Sequence, residues 1–162
     1  MTELLSHVLL AYAMFTAASW RIEWLTKQWV AIGMIGSLLP DLSRIGLFVT
    51  DATIEATLGV PFGIGAIHTL GGVVLFAAIG SLVVADRRRR AFGLLIAGGF
   101  SHLLTDGLKV WADGAASAWF YPLSWYRHPT PGLYVSSDPH VVVVVGLVAL
   151  AVALVDRRLI VD

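Results

Sequence analysis

The sequence predicts an all-α fold: a polytopic membrane helical bundle of about five transmembrane helices with one long aromatic-rich outer loop. Three observations carry this expectation. First, the 162 residues are 57% hydrophobic and 14% charged, with mean hydropathy +0.80, whereas a soluble domain carries about 25% charged residues. Second, the apolar residues fall into blocks separated by short charged segments, as in a chain that crosses a bilayer repeatedly. Third, the basic clusters alternate with those blocks. One integral membrane domain over residues 1–162 is therefore expected.

The first span is residues 4–20. It has neither a basic n-region nor a small-residue cleavage site, so it reads as a retained membrane helix and not a signal peptide. Arg21, Glu23 and Lys27 make a polar turn before the second span, residues 28–49, which Pro40 interrupts. Residues 50–58 form a short amphipathic stretch, with Thr50 or Asp51 as its N-cap. Pro61 leads into the third span, residues 62–85. Asp86, Arg87, Arg88, Arg89 and Arg90 form a tight basic hairpin, and the fourth span is residues 91–111. Residues 113–140 are the one long connection. The fifth span, residues 141–155, extends back through Pro139, a favoured first helical residue, and Asp156, Arg157 and Arg158 follow it.

If the five spans alternate, Arg21, Lys27, the four arginines from 87 to 90, Arg157 and Arg158 fall on one side. Only Arg44, Lys109 and Arg127 fall elsewhere. The positive-inside rule then predicts an N-terminus outside and a C-terminus in the cytoplasm of a multi-pass cell-membrane protein. The loop aromatics Trp119, Tyr121, Trp125, Tyr126 and Tyr134 suit the outer headgroup layer. Gly33, Gly36, Gly71, Gly72, Gly98 and Gly99 would let helices approach closely. The absence of cysteine excludes disulfides and thiolate metal sites. The zero net charge gives nucleic acid nothing to favour.

Within these blocks His7, Asp41, His68, His102 and Asp106 lie at about the same depth, near the outer face. A charge at the centre of a membrane helix costs roughly 2.5–3.5 kcal/mol, so several in register point to an intramembrane site. His102 and Asp106, spaced i and i+4, stand one above the other on a helix, about 5–6 Å apart at Cβ. Both can reach one cation, or the carboxylate can orient the ring. Pro40 breaks the second span, and Asp41 just beyond it can turn inward as a hard oxygen ligand, or pair with Arg44. His68 and His7 each add an imidazole to an otherwise apolar stretch. Arg44 and Lys109 are expected to snorkel, or to hold a phosphate or carboxylate of a substrate. His128 and His140, in or beside the loop, read as solvated. The donor set suits one divalent metal, zinc first.

The residues also resemble a known family, the inner-membrane-associated metal-dependent hydrolases of LexA-binding type. Four short matches run in the family's order: His7; Leu39-Pro40-Asp41; Ile67-His68-Thr69; and Ser101-His102-Leu103-Leu104-Thr105-Asp106, followed by Phe120-Tyr121-Pro122-Leu123. Archaeal members look most similar. The family often carries Pro-Asp-x-Asp where Ser43 stands here, and a His-Arg pair where Gly63 and Ile64 stand. The resemblance implies a metal-dependent hydrolase, and the two departures speak against a two-metal form of its centre.

Residues and resemblance together predict a membrane-embedded metal-dependent hydrolase acting on a lipid ester or phosphoester near the outer face. His68, His102 and Asp106 would be the first ligands, with Asp41 and His7 next. Whichever of Asp41 and Asp106 is not a ligand would be the general base, and Arg44 or Lys109 would sit near the substrate. The expected partners are membrane lipid and a lipid-derived substrate. The rival reading is a metal or polar network that only locks the helices, within a homo-oligomer or a larger membrane complex. An ion or proton transporter comes third, because the inner halves of the spans offer almost no polar path.

Overall fold

Each apolar block folds as helix, and proline, glycine and threonine decide where the helices stop. The computed structural model describes residues 2–59, 63–84 and 86–161. In chain order the α-helices are α1 (Thr2–Ser19), α2 (Lys27–Gly36), α3 (Asp51–Leu58), α4 (Leu70–Val83), α5 (Arg88–Asp106) and α6 (Pro139–Val161). Two 3-10 segments, Pro40–Leu47 and Ile64–His68, precede α3 and α4. Among the described residues there is no strand, only isolated bridges pairing Lys109 with Tyr134 and Ala115 with Pro129.

The second block breaks where proline removes a backbone donor. α2 ends at Gly36, the Ser37 hydroxyl donates back to the Met34 carbonyl at 2.8 Å, and the segment from Pro40 leaves at 47° to α2. Thr50 caps α3 as expected, accepting from the Thr53 amide at 3.2 Å. Gly59, with φ +69°, closes that helix in the left-handed region that favours glycine.

The third block departs from the expected unbroken span over 62–85, whose end residues lie outside the described residues. Thr69 is extended, with φ −138°, so the helix starts afresh at Leu70. Its hydroxyl accepts from the Gly72 amide at 3.2 Å, and threonine in that role favours a helix start over continuation. His68 therefore sits on a 3-10 turn and not in the first turns of a long helix.

The helices pack in the order α6, α1, α2, α5, α4. Glycines make the central approach close. A Cβ on Gly98 would strike the Gly33 carbonyl, and one on Gly36 would lie 2.5 Å from the Leu95 carbonyl oxygen. Ala11, Phe15, Leu25, Val30 and Leu94 form a buried cluster between these helices.

Two contacts show which ends of the helices coincide. Trp20 Nε1 donates to Asp156 Oδ1 at 3.2 Å, and the Arg90 guanidinium lies over the Trp24 ring, 4.9 Å from its centroid. The basic clusters at 21–27, 87–90 and 157–158 thus gather at one end. His7, His102 and Asp106 lie towards the other.

Among the described residues α6 is the one unbroken helix long and apolar enough to cross a membrane, over Pro139–Leu159 with mean hydropathy 2.3. α2 and its bent continuation qualify together as a broken span, and α1 and α4 are shorter apolar helices. Among the described residues, one or two helices and not five thus meet the length and apolarity of a full span.

The long connection is ordered by backbone pairing. The Val110 amide donates to the Tyr134 carbonyl, and the Leu133 amide to that of Leu108, each at 2.8 Å. The Leu70 amide donates to the Trp119 carbonyl at 2.9 Å, which fastens the loop to the start of α4. His128, expected in solvent, is half-buried among the rings of Trp119, Phe120 and Tyr126.

Candidate metal centre

The centre is assembled from α1, α5 and the two turns where helices break. α5 brings His102 and Asp106 inward on one face, 1% and 3% exposed. α1 brings His7, also buried, and the 3-10 segment Ile64–His68 brings His68. His7 Nε2 is 3.2 Å from Asp106 Oδ1. His68 Nε2 is 3.1 Å and His102 Nε2 3.6 Å from Asp106 Oδ2. His68 Nε2 and His102 Nε2 are 3.2 Å apart. His7, His102 and Asp106 each offer a ligand atom, all within 4.8 Å of one another, and this buried group can hold a metal ion. His68 stands against it through its Asp106 and His102 contacts.

Each imidazole is held by its other nitrogen. His102 Nδ1 lies 2.7 Å from the Ser37 carbonyl oxygen. That oxygen can only accept, so Nδ1 carries a proton, and in the neutral ring Nε2 then presents a lone pair to the centre. His7 Nδ1 lies 3.0 Å from Thr105 Oγ1. The Thr105 hydroxyl donates along its own helix, to the carbonyls of His102 at 2.8 Å and Ser101 at 3.1 Å. It therefore accepts from His7, whose Nε2 is likewise a lone pair facing the carboxylate. His68 Nδ1 is 3.0 Å from Ser117 Oγ.

With both rings neutral, their two lone pairs and the carboxylate converge on one point, an arrangement that a cation between them stabilises. Asp106 Oδ1 is buried without a hydrogen-bond partner, and buried polar atoms are rarely left so. The donor set and this orphaned oxygen both fit a cation.

An alternating chain of charge leads away from Asp106. Lys109 Nζ donates to Asp106 Oδ2 at 2.9 Å and also to Glu3. Arg44 Nη2 donates to Glu3 at 2.9 Å, and Arg44 Nε to Asp41 Oδ1 at 2.6 Å. Three carboxylates against two cations leave one net negative charge, a further attraction for a metal. Lys109 lies beyond the end of α5, under the Trp111 ring at 4.5 Å, and not within the helix.

Asp41 is thus brought to the network through Arg44, and its Oδ2 is buried without a partner. Arg44 and Lys109 are both committed to carboxylates. Sequence reasoning missed Glu3, Ser37, Thr105, Ser117 and Tyr134. Tyr134 donates from its hydroxyl to the Thr105 carbonyl at 2.9 Å. Burial, followed by the Asp106 and Glu3 carboxylates, pushes its pKa up to about 12.

A cavity of about 350 Å³ opens beside His7, between α1 and α6. Glu3, Thr105 and Tyr134 line its polar end, and Leu10, Val141 and Val144 continue it as an apolar trough.

A family model described as YdjM inner membrane protein matches residues 1–161. The chain belongs to the YdjM inner membrane protein family. That membership supports the membrane location read from composition. No curated protein and no solved structure matches the chain. In this YdjM chain the Ser117 hydroxyl, from the long loop, meets His68 Nδ1, and the Nε2 of the same ring lies against His102 of α5.

Proposed function

We propose that this YdjM chain is a membrane-embedded metal-dependent hydrolase acting on a lipid ester or phosphoester. The observation that carries the reading is the junction of two features at His7: a buried His/Asp donor set and an apolar trough. A catalytic centre reached by way of lipid needs both, and pockets of this kind are mostly apolar with a few converging polar groups.

The metal in this reading is zinc. Bonds of about 2.0–2.1 Å place tetrahedral zinc ligands about 3.3 Å apart. The separations of His7, His68 and His102 from Asp106, 3.2, 3.1 and 3.6 Å, bracket that value. When bound, the metal supplies an activated water near neutral pH and polarises a carbonyl or phosphoryl oxygen. Ser37 and Thr105 keep the His102 and His7 rings turned so that Nε2 faces inward. Asp41, the carboxylate with an unpartnered buried oxygen, accepts a proton as general base. Arg44 and Lys109, already paired, would share their charge with a substrate phosphate. The trough along Val141 and Val144 would take the apolar part of the substrate and exclude water. The membrane orientation in this reading places the histidine end outside and the basic end in the cytoplasm, with α1, the bent α2 pair, α4, α5 and α6 as its five crossings.

One observation favours a second reading, a metal that only locks the helices: His102 and Asp106 are almost wholly buried. Incubation with ester and phosphoester lipids decides between them. Turnover that is lost on metal stripping and in His102→Ala supports the hydrolase. Tightly held metal, lower thermal stability on chelation and no turnover would leave the structural reading standing.

A further inference from the structure

A second cavity lies at the far end of the bundle from the histidines. Its volume is about 470 Å³, and Phe15, Leu25 and Leu94 give it an almost wholly apolar wall. Arg89 and Arg90, beside Trp24, also belong to its lining. The Arg90 guanidinium is stacked on the Trp24 ring, which holds it in place. Its Nη1 is buried and has no hydrogen-bond partner. Arg89 is exposed, so its charge is free to meet a phosphate beside the cavity. Arg87 and Arg88 lie immediately before these two in the sequence.

We infer that this cavity is a binding site for an anionic phospholipid. The headgroup phosphate would accept from Arg90 and Arg89, and an acyl chain would fill the apolar interior. The charge complementarity selects the occupant: arginines beside an apolar hole match a lipid that carries negative charge above hydrocarbon. Cytoplasmic leaflets rich in anionic lipid attract such clusters. The tryptophan beside the arginines suits the same depth, with its body in hydrocarbon and its polar edge at the headgroups. The site shares no residue with the histidine centre, so it stands whether or not that centre is catalytic.

The test uses the full chain in nanodiscs of phosphatidylcholine alone or enriched in phosphatidylglycerol, read by lipids retained in native mass spectrometry and by thermal melting. Wild type should retain phosphatidylglycerol selectively and melt higher in its presence. Arg90→Gln should weaken retention about fivefold, as expected for loss of one basic side chain worth about 1 kcal/mol at an anionic surface. Arg157→Gln, at the same end of the bundle and outside the cavity lining, should leave it unchanged. Gly93→Leu is the second variant, because a side chain there enters open space with nothing within 4 Å. It should fill the cavity and abolish retention in a chain that still folds. His102→Ala should keep the lipid response. Equal retention in the Arg90 and Arg157 variants would overturn the proposal, as would equal stabilisation by soluble glycerol phosphate. Melting that rises with protein concentration instead of with lipid would assign the cavity to a second copy of the chain and also overturn it.

Discussion

The imidazoles of His7 and His102 stack face to face, with ring centroids 3.7 Å apart and planes inclined by 21°. They come from helices nearly a hundred residues apart in sequence, and both turn Nε2 towards the same carboxylate. The stack brings both Nε2 atoms to one point, as two imidazoles sharing a cation require. His102→Ala and Asp106→Ala should each lose bound metal on purification, measured by elemental analysis. Asp41→Asn should keep the metal, because Asp41 reaches the centre only through Arg44, Glu3 and Lys109, and should lose turnover as the proposed general base. Full metal occupancy in His102→Ala would contradict this assignment.

Thr105 touches His7 and not the cation. Thr105→Val removes the acceptor that fixes the His7 tautomer while keeping the side-chain volume. Loss of such an orienting partner costs metal sites about 10–100-fold in affinity. Competition with a chromogenic chelator would read the change, and an unaltered dissociation constant would show that His7 is not a ligand.

Tyr134 gives a pH dependence of definite sign. Its pKa in the folded chain, about 12, lies above the value of 10.0 expected of an exposed tyrosine. A group raised on folding stabilises fully below its unfolded pKa and loses that contribution as pH rises towards its folded one. Wild type should therefore lose stability between pH 10 and about 12 by this route, and Tyr134→Phe should not. Below pH 10 the variant should be less stable by about 1 kcal/mol for the lost hydrogen bond to Thr105. Thermal melts of both proteins across that range would show the curves converge; parallel curves would refute the assignment.

Gly98 faces the α2 backbone at a distance that leaves no room for a methyl group. Gly98→Ala should force α2 and α5 apart and cost about 1–3 kcal/mol, as overpacking does. Gly93→Ala, on the same helix but facing open space, is the matched control and should gain slightly in helix propensity. The comparison is made by denaturant or thermal unfolding in detergent, and equal melting of the two variants would show that the close approach is not needed.

The chain contains no cysteine, so single introduced thiols report topology cleanly. Ser124→Cys, in the long loop, should react with an impermeant maleimide added to intact cells. Arg158→Cys, beyond the Asp156 contact, should react only after permeabilisation. The reverse pattern would invert the orientation of the bundle.

Much of this arrangement was legible in the sequence, for identifiable reasons. His102 and Asp106 declare themselves because a helix of known pitch places residues i and i+4 together. Pro40 declares the bend because it lacks an amide proton. The break at Thr69 was hidden, since threonine is as ordinary inside an apolar run as at its edge. Glu3, Thr105, Ser117 and Tyr134 were hidden for another reason: their roles depend on contacts across long stretches of chain, such as Glu3 with Lys109 or His68 with Ser117. No local spacing announces those pairs. Asp41 was legible as an inward carboxylate, but the choice between metal ligand and partner of Arg44 needed coordinates.

α6 leans chiefly on α1, and the Trp20–Asp156 hydrogen bond fastens it at the end remote from the histidines. The other end is tied as well: five residues before α6, Tyr134 is bonded to Val110 and to Thr105 of α5. The outer wall of the gap beside His7 is thus anchored above and below. A guest arriving sideways from the bilayer would slip between the side chains of α1 and α6, with no helix to unhinge.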